Sequence, residues 1–190
     1  MSDDALVIID YQSRWTGEFQ EVGNGLRIVL GDGALRIDHI GSTSVPGLAA
    51  KDVIDVQVTV AKLAETDSWP DELLPGLTRR ANSADHVPAG AHRDPLEWTK
   101  RYWSGPRRFH VHVREHGRLN QRYALLFRDY LRAEPRAAAA YGDLKRALAA
   151  AMPNDRGTYS VVKDPACDLI MLGAEQWASL KEWSPAASDA

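Results

Sequence analysis

The sequence predicts an α+β fold, with a mixed β-sheet carried by residues 1–116, helices packed on it, and a helical portion over 117–183. Three observations predict it. Residues 53–60, VIDVQVTV, are rich in β-branched side chains, which suit a pleated, half-buried strand. Strand-like patterning recurs at 34–40 and 108–114. After Gly117 the apolar residues fall at helical spacing instead.

Leu6 to Ile9 form a short apolar run that predicts an edge strand, ended by Asp10 to Arg14. Trp15, Phe19, Val22, Leu26 and Val29 then recur at helical spacing, and Gly31 and Gly33 stop that helix. Ala34 to Ile40 reads as a strand running into Gly41, followed by the turn GSTSVPG and the strand at 53–60. Between 61 and 96, Trp69-Pro70-Asp71 reads as a helix start, Pro75-Gly76 as its stop, and HVPAGAHRDP (86–95) as a loop. Trp98 to Trp103 and Arg108 to Arg114 read as strands joined by a hairpin at Gly105-Pro106.

The next helix presents Leu119, Tyr123, Leu126, Phe127, Tyr130 and Leu131 on one face and ends at Pro135. Arg136 to Met152 is Ala-rich, with Tyr141, Leu144 and Leu148 facing inward. Asp164-Pro165 reads as the cap and first turn of a last helix carrying Ile170, Trp177 and Leu180. Residues 1–183 are expected to form a single domain, and the tail SPAASDA (184–190) is expected to be disordered.

The bulk composition narrows the function. The chain has 190 residues, 44% of them hydrophobic and 26% charged, with 23 basic against 26 acidic side chains and a net charge of −3. A DNA-binding protein would be basic with a clustered patch, so no DNA partner is expected. Cys167 is the only cysteine, which excludes an intrachain disulfide and a cysteine zinc cluster; its apolar neighbours make it a packed hydrophobe. MSDDALVIIDY places acidic residues before a very short apolar run, the wrong order for a secretory signal. No apolar stretch approaches the roughly 20 residues of a membrane span. A cytoplasmic protein without a membrane partner is expected.

The chemistry concentrates in HIGSTSVPGLAAKDVIDVQV, residues 39–58. Side chains alternate along a strand, so Val53, Asp55, Gln57 and Thr59 share one face while Ile54, Val56, Val58 and Val60 share the other. A carboxylate in so apolar a strand is costly unless it is paired or bound to a metal. An aspartate paired with an arginine is the alternative to a metal ligand. Gly41 lets the backbone come close to a phosphate, and Ser42, Thr43 and Ser44 add hydroxyl and amide donors. Lys51 lies between this turn and Asp55. On the 108–114 strand, His110 and His112 share a face, a spacing suited to one metal ion or to phosphates. Lys145 and Lys163 are further candidate phosphate contacts, although a proline at 165 puts a shared face for Tyr159 and Lys163 in question.

The order strand, Gly-Ser turn, short helix, acidic strand resembles the nucleotidyltransferase fold. There the turn holds a triphosphate and strand carboxylates hold metal. More closely, IDHIGSTSVPGLAAKDVID (37–55) resembles the hallmark of the GrpB family, a nucleotidyltransferase-like family. RFHVHVREHG (108–117), LLFRDYLRAEP (125–135), AYGDLKRALA (140–149), Tyr159 with Lys163, and YQSRW (11–15) resemble its other signatures. The resemblance implies a nucleotidyltransferase-like sheet and a nucleoside triphosphate or other phosphorylated small molecule as ligand, and its FRDYLR stretch implies a cleft-facing, phosphate-binding role for Arg128. It also implies a link to coenzyme A metabolism, because members occur attached to dephospho-coenzyme A kinase domains. This chain has no P-loop GxxxxGK(S/T) of its own.

The expected reaction is transfer of a nucleotidyl group to a small acceptor, with Asp55, His110 and His112 catalytic and holding a divalent metal, Mg²⁺ or Mn²⁺. The alternative is a nucleotide or coenzyme A binding protein without turnover. Gln57 favours that alternative, because nucleotidyltransferases place a second carboxylate two positions along the strand. Losing that charge weakens the case for two magnesium ions, while imidazole shifts preference toward manganese, zinc or iron. A metal hydrolase using the same three residues would leave the Gly-Ser turn idle.

Overall fold

The computed structural model of the chain describes residues 6–81, 83–105 and 108–190. A six-stranded mixed sheet runs in the order β1-β2-β6-β5-β4-β3. Its strands are β1 (Arg36–Ile40), β2 (Ile54–Val60), β3 (Glu72–Leu74), β4 (Leu77–Arg80), β5 (Arg101–Ser104) and β6 (Phe109–Glu115). Only β2 and β6 are parallel neighbours; every other pair is antiparallel.

Alternation along β2 and β6 gives the sheet two unlike faces. On one, Val56, Val58, Val111 and Val113 pack against Trp15, Phe19, Val22 and Leu26 of α1 (Arg14–Leu30), forming the main core. On the other stand Asp55, Gln57, His110, His112 and Arg114. Over this polar face lie α2 (Leu119–Ala133), α3 (Pro135–Ala151) and α4 (Arg156–Leu180), which hold together through two smaller apolar clusters.

Several local readings need correction. Leu6 to Ile9 is not a strand; Ile9 alone bridges to Ala50. Trp69-Pro70-Asp71 starts no helix, because a 3-10 turn ends at Ser68 and the chain enters β3. Pro75-Gly76 is the two-residue turn of the β3–β4 hairpin, with Leu74 paired to Leu77 and Gly76 at φ 79°. Proline presets the first turn position and glycine accepts the positive φ of the second, so the pair reads equally well as a hairpin turn. β5 and β6 pair as expected, while Pro106 of the connecting turn lies outside the described residues.

Asp164-Pro165 does not begin the last helix. Asp155 caps it, its side chain accepting the Thr158 N–H at 2.9 Å, and α4 runs through Pro165. Proline removes one hydrogen-bond donor from a helix interior, and here the surrounding packing overrides that cost.

The segment 184–190 is not a disordered tail. It lies along the outer side of β1, which is an edge strand with unpaired backbone groups. Ser188 Oγ accepts the Ile37 N–H at 2.8 Å and Asp189 Oδ2 accepts the His39 N–H at 2.9 Å. The Asp189 and Ala190 N–H groups donate to the Ile37 carbonyl. Two side chains and two backbone N–H groups, rather than a regular strand ladder, close the edge, which is why no periodicity announced it.

Candidate functional site

A cavity of about 360 Å³ opens between the polar face of the sheet and the helices. Asp55, His110, His112 and Arg114 form its floor, and Gly41 and Ser42 its rim. Lys51, Lys145 and Lys163 lie together on one wall, while Trp98, Tyr123, Phe127, Tyr141 and Tyr159 supply aromatic surface.

The floor follows from the parallel pairing of β2 with β6, whose register sets Asp55 beside His110 and Gln57 beside His112. Asp55 Oδ1 is 3.4 Å from His110 Nδ1 and 3.5 Å from His112 Nε2. One ligand atom from each of the three lies within 4.8 Å of the others, close enough for a single ion. Burial alone would raise the Asp55 carboxyl, but the hydrogen bonds and charges of His110 and His112 outweigh it and hold the group well below the usual carboxylate range. Burial also takes His112 down to about 4, against the pull of Asp55 and with Arg114 and Lys100 adding to the effect. Near neutral pH the pair is an ionised Asp55 and a neutral His112. Lys100 Nζ stands 3.3 Å from His112 Nδ1, and an ammonium can only donate. The ring proton of His112 therefore sits on Nε2, facing Asp55. That leaves His110 as the imidazole with a nitrogen free for an ion.

The position sequence reasoning marked for a second carboxylate is fully engaged. Gln57 is buried; its Oε1 accepts from Arg114 Nη1 at 2.6 Å and its Nε2 donates to the Gln121 carbonyl at 3.1 Å. A two-magnesium site does not fit this set of side chains. One ion held by a carboxylate and imidazole nitrogen does, and such donors suit manganese, zinc or iron better than magnesium.

The Gly-Ser turn has a different internal logic from the expected one. Gly41 has φ 71°, and a Cβ there would lie 2.5 Å from Asp55 Oδ2 and 3.0 Å from Asp55 Cβ. The close neighbour that demands glycine is thus Asp55 itself. Thr43 Oγ1 donates to the Val53 carbonyl and meets His39 Nε2, each at 3.0 Å, while Ser44 Oγ donates to the Gly41 carbonyl at 2.6 Å. Both hydroxyls shape the turn. Only Ser42 offers its hydroxyl toward the lysine wall, accepting from Lys145 Nζ at 2.8 Å. Gly41→Ala should push the Asp55 carboxylate off its histidines and weaken Mn²⁺ binding by about tenfold or more. The positive φ should add about 1–3 kcal/mol of strain. Calorimetric metal titration beside a denaturant melt checks both, and unchanged metal affinity would detach the turn from the carboxylate.

The lysine wall is short of counter-charge. Lys145 is buried against the Tyr141 ring, 4.5 Å from its centroid, and also donates to the Ala49 carbonyl. Lys51 sits 4.8 Å over the Tyr159 ring. Among the described residues neither has a carboxylate within ion-pair distance; Lys163 has Asp164 at 3.5 Å. Burial lowers Lys145 to about 7, and Lys163, Arg146 and Lys51 add to the shift. Lys163 reaches the cavity because α4 extends upstream of Pro165, setting Tyr159 and Lys163 on one face.

Arg128 is the candidate that the structure places elsewhere. It is 1% exposed, does not line the cavity, and pairs with Asp129 at 2.7 Å, Asp189 at 2.8 Å and Asp38 at 3.6 Å. Its Nη1 also donates to the His39 carbonyl at 3.2 Å. It ties α2 to β1 and to the closing segment.

Sequence reasoning missed several cavity residues. Arg114 was legible, continuing the His110, His112 alternation by one step. Asp85 and His86 were not, since they lie in a stretch without periodicity. Asp85 takes both Arg114 (2.8 and 3.0 Å) and Lys100 (2.6 Å), while His86 Nε2 meets Asp168 at 3.0 Å.

Comparison with known proteins agrees with the architecture. The family described as GrpB protein matches residues 5–172. The chain is 35% identical over 191 residues to a protein of Mycolicibacterium paratuberculosis named dephospho-CoA kinase, covering 90% of this chain and 46% of that protein. It is 34% identical over 172 residues to the UPF0157 protein YqkA of Bacillus subtilis, covering 90% of this chain and 47% of that one. The chain thus spans about half the length of these relatives. Among solved structures, the conserved protein GrpB from Enterococcus faecalis superimposes with a TM-score of 0.72 at 32% identity, covering 90% of this chain and 99% of that one. No helix among the described residues is long and apolar enough to cross a membrane.

Proposed function

The chain belongs to the GrpB family, and from that premise we propose that its cavity binds a nucleoside triphosphate or related phosphorylated small molecule and transfers a nucleotidyl group to a small acceptor. The observation that carries this reading is the lysine wall. Lys51 and Lys145, which have no carboxylate within ion-pair distance among the described residues, line a cavity where burial lowers the proton affinity of both and the nearby Lys163 lowers it further, which is costly unless an anion completes the set. Phosphate oxygens meeting Lys51, Lys145 and Lys163, with Ser42 beside them, supply that anion. Asp55 and His110 would hold a single divalent ion at the other end, and the ion would supply Lewis-acid charge at the reacting phosphate. Catalysis would then be mostly positional and electrostatic. The ion held on Asp55 and the basic wall would orient an extended phosphorylated ligand between them, and the cytoplasm is where we place this chemistry.

A second reading, binding without turnover, is favoured by Gln57, whose engaged amide offers no second carboxylate. The name of the mycobacterial relative puts dephospho-coenzyme A and coenzyme A beside the triphosphates as ligands to test. Incubation of the protein with each triphosphate, Mn²⁺ or Mg²⁺ and a cell extract separates the readings. Pyrophosphate release supports transfer, saturable binding without it supports the second reading, and absence of any binding defeats both.

The pH dependence is a sharper check on the lysine wall. With a folded value of about 7 against an ordinary 10.5, Lys145 is charged below pH 7 and loses its proton above it. An anionic ligand favours the charged form, so affinity should fall as pH rises through 7, and binding at pH 8 should take up a proton. The unfolded chain holds more protons than the folded one between about 7 and 10.5, so ligand-free stability should rise with pH across that window. Calorimetry in two buffers of different ionisation heat measures the uptake, which Lys145→Met should abolish. Affinity that is flat from pH 6 to 9 would remove Lys145 from the binding site.

A further inference from the structure

We infer that Arg114 and Lys100 are built-in cations standing where a second divalent ion would sit, so that the floor of the cavity is made for one ion only. The position at issue is beside Gln57, two residues along β2 from Asp55 and on the same face. There the space is filled by charge that the protein carries itself. Arg114 spends its whole guanidinium locally, Nη1 on Gln57 Oε1 at 2.6 Å and Nε and Nη2 on Asp85 at 2.8 and 3.0 Å. Lys100 Nζ lies between Asp85 Oδ1 at 2.6 Å and His112 Nδ1 at 3.3 Å. Asn120 Nδ2 adds a donor to Asp85 Oδ2 at 3.1 Å. Both cations are nearly inaccessible, 6% exposed for Arg114 and 4% for Lys100.

The charge count decides the matter. Asp55 and Asp85 carry two negative charges, and Lys100 and Arg114, held on Asp85, two positive ones. A divalent ion beside Gln57 would therefore meet a balanced set, with two fixed cations as its nearest neighbours, where like charges repel most strongly. A carboxylate placed at position 57 would not change this by itself. It would take the Arg114 guanidinium as its partner, because that donor already points at the side-chain oxygen. The bidentate Arg114–Asp85 pair also reaches across the sheet from the loop around 85 to β6, so the cations order that loop against the cavity floor.

This deepens the single-ion reading above and rests on it only for the first ion. The test counts Mn²⁺ ions by calorimetric titration relative to the unaltered protein. Gln57→Glu should hold the same number as the parent. Gln57→Glu combined with Lys100→Gln and Arg114→Met should hold one more, since Asp85 and the carboxylate at 57 then both lack a cation. If that combination does not fold, Gln57→Glu with Arg114→Met leaves Lys100 on Asp85, frees the carboxylate at 57 and should also gain an ion. An added ion in Gln57→Glu alone overturns the inference, as does a folded combined variant that gains none. A parent without any bound Mn²⁺ would defeat the single-ion reading yet leave this comparison intact, because it counts only ions gained.

Discussion

Asp55→Asn should lower Mn²⁺ affinity by about 100-fold or more and abolish any nucleotidyl transfer, with the fold intact. Altering groups that merely support metal ligands typically costs about 10–100-fold, so removing the one charged ligand should reach at least the upper end. The half-buried carboxylate has two histidine neighbours and no lysine or arginine ion pair among the described residues, so an amide of the same shape leaves no buried cation stranded. The two histidines should then part company. His110→Ala should approach the effect of Asp55→Asn, whereas His112→Ala should cost the metal much less, because His112 holds its Nε2 proton toward Asp55 while Lys100 occupies Nδ1. Metal titration of the three variants checks the order. Equal losses in both histidine variants would mean that Lys100 yields and His112 joins the ion; unchanged affinity in Asp55→Asn would remove the metal site altogether.

Arg128→Met should cost the fold about 3–5 kcal/mol, the usual cost of stripping one partner from a buried ion pair. Its guanidinium faces Asp38, Asp129 and Asp189, and Asp38 has a fully buried side chain with Arg36 as its remaining cation. A fall in melting temperature on the order of 10 °C would follow for a chain of this size. Ligand affinity, measured well below the new melting point, should stay within about twofold of the parent. A small change in stability with a large loss of ligand affinity would return Arg128 to the binding site, where its FRDYLR context had placed it.

The fold was legible wherever periodicity was strong. The β-branched run at 54–60 and the 3.6-residue spacing of Trp15, Phe19, Val22 and Leu26 needed no help from tertiary contacts. The errors fell where one residue type serves two purposes. Pro75-Gly76 ends helices and also turns hairpins; Pro165 starts helices but is tolerated within one when the rest of α4 is anchored on α2 and α3. The closing segment carries little apolar signal because hydrogen bonds to Ser188, Asp189 and the segment's carbonyls fasten it, with Ala190 alone among its residues packed against the main core.

The candidate site divides the same way. Asp55, His110 and His112 could be picked out because strand alternation sets them on one face of their strands, and Gly41 because a glycine there follows a strand directly. Gln57 could be recognised as an absent carboxylate, but where its amide went depended on Arg114, Gln121 and the distant Asp85. Arg128 was misread because a charged residue on an amphipathic helix is ordinarily solvated or ligand-facing, and nothing local reveals three aspartates converging on it.

The pairing of β2 with β6 has a consequence for how such a site can vary. Asp55, Gln57, His110 and His112 occupy the corners of a rectangle whose edges are backbone constants, about 4.8 Å between strands and about 6.6 Å between alternate residues. Each corner is an independent address, open to a carboxylate, an imidazole or an amide without moving the main chain. Coordination can then change in whole steps, one corner at a time, and each step succeeds only if the charges stacked behind that corner change with it. The sheet works as a fixed template, and the chemistry is written in the layer beneath the corners.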